Sequence, residues 1–206
     1  MTHTLYREGT RENLSNDYVV LALSAKNINE SGSAVKMKRF LEIGLRHNPV
    51  NFGDMKTGNS LTTSPEVIMA SLKDNSIVHM VYTTRVQVIA FLKELKKADL
   101  GLSVVVSGII DEVRDCCQQA DLHPHTVEMS LGIMGKIDKL PNRKILEITT
   151  MCGHHMVATG LVSRMIQEIK RGKKTSDEAA TELARQCCCG VFNTQRAQEL
   201  LEISMK

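Results

Sequence analysis

The feature that most constrains this chain is the alternation, through its first 150 residues, of short β-branched apolar runs with longer stretches of helical periodicity. YVVLALS (18–24), SIVHMVYT (76–83) and GLSVVVSG (101–108) have the length and branching of strands. HTVEMSLG (125–132) alternates apolar and polar residues, and KILEITT (144–150) reads as a last strand. Between them, AVKMKRFLEIGLR (34–46) spaces Val35, Met37, Phe40 and Ile43 as a helix does, and 86–98 and 109–120 predict two more helices. Ser64-Pro65-Glu66 is a helix start, with serine as N-cap and proline in the first turn. Strands that alternate with helices predict an α/β fold with a mainly parallel sheet flanked by helices. The unbroken apolar character of 101–108 predicts a strand buried on both faces.

After residue 150 the strand pattern stops. Val157, Leu161, Met165 and Ile169 form one helical stripe, with Gly172 as its stop. Thr175 with Glu178 makes a capping box, and Asn193 is placed to cap TQRAQELLEI. The expected organisation is a sheet core over 1–150 and a helical C-terminal extension over 151–206, together one compact unit.

The cysteines fall in three places: Cys116–Cys117, Cys152 and Cys187–Cys188–Cys189. The polar N-terminus MTHTLYREGTRENLSND lacks the apolar centre of a secretion signal, which predicts a cytoplasmic address. Disulfides seldom persist there, and clustered thiols then point to metal or redox chemistry. No apolar run approaches the roughly 20 residues that span a bilayer, so no membrane is expected. A formal charge of +3 and the absence of tryptophan argue against nucleic acid as a partner. A homo-oligomer is compatible with all of this.

TTMCGHHMVATG (149–160) carries a thiol, a glycine and two imidazoles between the last predicted strand and a helix. In a parallel α/β sheet that is where ligands bind, and a thiol at a helix N-terminus is biased towards thiolate. Gly153 is placed to let the chain turn. In CCCG (187–190), an extended backbone sends Cys187 and Cys189 to one side and Cys188 to the other. Cys187 and Cys189 with Cys152 and one of His154 or His155 make a donor set for zinc, for iron or for an iron–sulfur cluster.

The leading expectation is therefore a metal- or iron–sulfur-binding protein. Two loops extend it to a small anionic ligand: one bears Lys26, Asn27 and Asn29, the other Lys56, Thr57 and Asn59 ahead of a helix start. A second reading makes Cys152 a nucleophile assisted by His154 or His155 in an enzyme acting on a small anionic substrate. A third is a metal-free interaction or assembly module. Cys116 and Cys117 fall inside a predicted helix, as core thiols.

Overall fold

The computed structural model describes residues 6–205. Among the described residues five strands form the sheet: β1 (Tyr18–Leu23), β2 (Asn51–Asp54), β3 (Gly58–Asn59), β4 (Val78–Tyr82) and β5 (Ser103–Ser107). Their order is β3-β2-β4-β1-β5, and every adjacent pair is antiparallel. The parallel sheet expected from the alternation is thus overturned. The alternation itself holds: helix α2 (Ser33–Leu45) joins β1 to β2, and α4 (Arg85–Ala98) joins β4 to β5. Each crossover skips a strand, however. β4 lies between β1 and β2, and β1 lies between β4 and β5, which is the split β-α-β arrangement.

One face of the sheet carries α2, α4 and α5 (Ile110–Gln119). Tyr18, Val20 and Ala22 of β1 and Val78, Met80 and Tyr82 of β4 point into this layer. Phe91 of α4 packs edge-on against Phe40 of α2 at 5.0 Å and lies 5.4 Å from Tyr82. Of the residues expected on the α2 stripe, Met37, Phe40 and Ile43 are buried while Val35 is exposed. α4 opens on a full capping box between Thr84 and Gln87. The short α3 (Pro65–Ser71) starts at the Ser64 cap, as the sequence predicts.

The other face, with Val19 and Val81, is covered by α6 (Arg143–Thr149), α7 (Thr159–Lys170), α8 (Ser176–Arg185) and α9 (Thr194–Ile203). Thr175 and Glu178 form the expected capping box on α8, and Asn193 caps α9. Near the N-terminus lies the single-turn α1 (Arg11–Leu14). Among the described residues no helix is long and apolar enough to cross a membrane.

Other local expectations are corrected. KILEITT is helix α6, not a strand: the Asn142 side chain accepts the Lys144 N–H at 2.9 Å and starts a helix despite the branched residues. Residues 125–132 form no strand and are exposed. β5 is an outer strand with Val104 and Val105 both 38% exposed, not a strand buried on two faces. The polar stretch 48–64 contains the β2–β3 hairpin, whose Asn51, Asp54 and Asn59 are buried.

Candidate metal centre

The site is built from two turns. Cys152 follows α6, with its N–H donated to Thr149 O at 3.1 Å and its carbonyl accepting the His155 N–H at 2.9 Å. His155, rather than Gly153, adopts the left-handed conformation, at φ 55°. The second turn follows α8: the Cys187 N–H bonds to Ala184 O at 3.0 Å, and the Gly190 N–H closes on Cys187 O at 3.1 Å. Cys187 and Cys189 point inward and are fully buried, while Cys188 between them is only half-buried, as the expected alternation requires.

The β2–β3 hairpin holds the second turn in place. Buried Asn59 donates to Ala184 O at 2.9 Å and to Cys187 O at 2.8 Å, and Asn51 donates to Phe192 O at 2.9 Å. Gly190 has φ 78° and lies so close to β2 that a Cβ would run into the backbone of Phe52. Ala184 O and Cys187 O at the end of α8 thus each accept a second bond beyond those from the Cys187 and Gly190 N–H groups.

Four of the five predicted donors are brought together. Cys187 Sγ lies 3.8 Å from Cys189 Sγ, and Cys189 Sγ lies 3.6 Å from His154 Nδ1. Cys152 meets Cys187 thiol to thiol at the other end of the row. His155 is exposed. Among the described residues, no three His, Cys, Asp or Glu donors already surround a common point that would hold a metal ion.

The thiols sit in opposing influences. The hydrogen bond to Cys187 and burial push Cys152 well above the ordinary thiol range. The bond from Cys152 favours the Cys187 thiolate, but the bond to Cys189 and burial outweigh it and push Cys187 up to about 12. Acting the other way, the backbone N–H groups of His154 and Met156 reach Cys152, and that of Val191 reaches Cys187. Amides aimed at sulfur stabilise thiolate, whereas three thiolates side by side in a dry site repel one another.

The dipole argument for Cys152 is reversed. Cys152 follows the C-terminal end of α6, and α7 begins only at Thr159. An attacking thiolate calls for an exposed sulfur of low pKa, and Cys152 is neither exposed nor lowered.

The polar loops expected to hold an anion follow β1 and β2. Lys26 and Asn27 are exposed, and Asn29 holds its own turn through Ala25 N and Gly101 O. Lys56 is exposed, Thr57 donates to Asp54 at 3.0 Å, and Asn59 is the clamp described above. Cys116 and Cys117 are buried in the α2/α4/α5 layer, on the opposite face of the sheet.

The N-terminal segment, which reads as a polar tail, supports both turns. Glu8 N–H donates to Thr150 Oγ1 at 3.0 Å, and Arg7 donates to Val191 O at 3.0 Å. Fully buried Arg196 pairs with Asp17 at 3.0 Å and donates to Glu8 O at 2.7 Å, while Asn193 donates to Asn16 O at 2.8 Å. Nothing in the spacing of these residues announces the contacts, because their partners lie more than 140 positions away. No protein-family model, curated protein or solved structure matches the chain.

Proposed function

We propose that the chain binds a soft metal ion, zinc or iron, through Cys152, Cys187, Cys189 and His154, as a buried centre that ties the turn after α6 to the turn after α8. One observation carries the proposal. With metal–sulfur bonds of about 2.3 Å and metal–nitrogen bonds of about 2.0–2.1 Å, a tetrahedral site has S···S edges of about 3.8 Å and S···N edges of about 3.6 Å. The Cys187–Cys189 and Cys189–His154 separations are 3.8 and 3.6 Å. The row therefore supplies two edges of such a polyhedron, and Cys152 stands one hydrogen bond away from completing it.

The amides on Cys152 and Cys187 support the same reading, since they orient and stabilise the thiolate form of a ligand. Burial of all three thiols suits a closed centre that contributes folding energy. A reducing compartment such as the cytoplasm would keep these sulfurs free to bind.

The test is the metal content and absorption spectrum of protein purified without air. The expected result is close to one zinc or iron per chain. Cys187→Ser and Cys189→Ser should lose the metal, and His155→Ala and Cys116→Ser should keep it. Visible charge-transfer bands would assign iron, and sulfide found with the iron would assign a cluster on the same ligands. Metal-free protein that takes up neither zinc nor ferrous iron would overturn the proposal.

A further inference from the structure

The row of buried thiols has a second chemistry besides ligation, and its contacts say which sulfurs would use it. Cys187 is the middle member: it meets Cys152 thiol to thiol on one side and Cys189 at 3.8 Å on the other. Its two neighbours stand differently. Cys189 shares its turn, which the Gly190 N–H closes on Cys187 O at 3.1 Å. Cys152 lies in the turn after α6, so a bond from it to Cys187 closes a loop through all of α7 and α8. The longer the closed loop, the more a disulfide restricts the unfolded chain. Cys116 and Cys117 lie on the other face of the sheet as consecutive residues of α5, where neighbouring side chains diverge.

We propose that the Cys152–Cys187–Cys189 row is a redox switch: once metal has left, a peroxide converts Cys152 and Cys187 into a disulfide that locks the metal out. The lock-out rests on the metal reading, whereas the disulfide rests on the thiol contacts alone. A metal and the disulfide both tie the turn after α6 to the turn after α8, but they need the same sulfurs. A sulfur in a disulfide has no thiolate to offer a metal. The two turns are therefore held together in either state, with metal binding confined to the reduced one.

The steps run along the row. Cys189 lies beside the half-buried His154 ring at 3.6 Å, and movement of that ring admits a small oxidant to its sulfur. The Cys189 sulfur takes one oxygen as the peroxide O–O bond breaks; a sulfenic acid forms and the other oxygen leaves as water. Cys187 then attacks the Cys189 sulfur, the S–O bond breaks, and the hydroxyl leaves with the Cys187 proton as a second water. Cys152 attacks Cys187 in turn, forming the Cys152–Cys187 bond, and its proton returns Cys189 to a thiol. Two thiols have then lost two electrons, and the peroxide has gained them. A bound metal would fix His154 and engage all three sulfurs, so loaded protein resists the first step.

The experiment treats the full chain, chelated under reductant and then freed of both, with a small excess of hydrogen peroxide. Free thiols are alkylated, and trypsin, cutting at Arg164 and Arg185, separates Cys152 from Cys187 for mass spectrometry. The expected result is loss of two of the six thiols and a peptide pair joined through Cys152. Fragmentation of that pair in the wild-type protein should place the bond on Cys187, without recourse to a variant. Cys188→Ser should keep the cross-link, and Cys187→Ser should lose it. Oxidised protein should take up no zinc until dithiothreitol restores the thiols, and metal-loaded protein should keep its thiols under the same treatment. A chain that retains all its thiols, or a disulfide confined to residues 187–189, would overturn the proposal. Loaded protein that cross-links with its metal retained would overturn the lock-out. A chain that takes up no metal in its reduced state yet forms the cross-link would overturn the metal reading and leave the disulfide standing.

Discussion

The two faces of the sheet are held by different chemistry. On the α2/α4/α5 face the core is large and apolar: Phe40, Phe91, Tyr82, Leu41 and Met80 fill the layer, with few buried polar bonds such as that from Tyr82 to Gly44 O at 2.9 Å. On the α6–α9 face the buried residues include Ala179, Ala180, Ala184 and Ala197 with Cys152, Cys187 and Cys189. Phe192, Leu183, Leu201 and Met165 supply apolar filling there too, but the small side chains bury little area each, and the layer is further stitched by Asn51, Asn59, Asn193 and the Arg196–Asp17 pair. The comparison teaches that one layer stands by itself, while the other leans on directed bonds, to which a metal ion would add the strongest.

Removing the proposed metal should give the largest effect. A structural zinc can contribute about 10 kcal/mol in small metal-folded domains, so chelation should strip hydrogen-exchange protection from α6–α9 while α2 and α4 keep theirs. Equal loss on both faces would break the comparison. Next come two core substitutions. Phe91→Ala should cost about 3–5 kcal/mol in denaturant unfolding, with or without metal, because its cavity lies in the aromatic layer. Arg196→Ala should cost less, about 1–3 kcal/mol, by stripping Glu8 O and Asn13 of a donor while Asp17 keeps Arg7 at 3.0 Å.

How far the sequence carries depends on the range of the forces involved. Caps are local, and so Ser64, Thr175 and Asn193 could be placed from their neighbours alone. KILEITT misleads because a seven-residue branched run fits a strand or a buried helix equally, and the deciding group, the Asn142 side chain, lies just outside it. The β2–β3 hairpin hides because NFGD and GN carry polar residues that are buried through bonds to the distant turn at Cys187. Strand direction was not readable from alternation, since both crossovers skip a strand and only the finished sheet reveals it. What was legible is proximity: alternation within CCCG turns Cys187 and Cys189 to one side, and MCGHH offered Cys152 with either His154 or His155, of which His154 lies beside Cys189. The amides that meet Cys152 and the Arg7 contact at Val191 depend on turns that no spacing encodes.

Smaller substitutions sharpen the contrast. Gly190→Ala forces a side chain into a left-handed position against Phe52, and should cost about 1–3 kcal/mol in stability and loosen metal retention in a chelator competition. Thr84→Ala and Thr175→Ala remove matched capping boxes from the two layers and should each cost about 1 kcal/mol in the metal-loaded protein. In chelated protein the Thr84 effect should persist and the Thr175 effect should fade, as urea titrations of the four states would report.

The most direct test is X-ray absorption at the edge of whichever metal the purified protein carries. Three sulfurs at about 2.3 Å and one nitrogen at about 2.0–2.1 Å are the shell that Cys152, Cys187, Cys189 and His154 predict for a single ion. A shell of oxygen and nitrogen alone, or no metal to measure after reconstitution with zinc and ferrous iron, would contradict it.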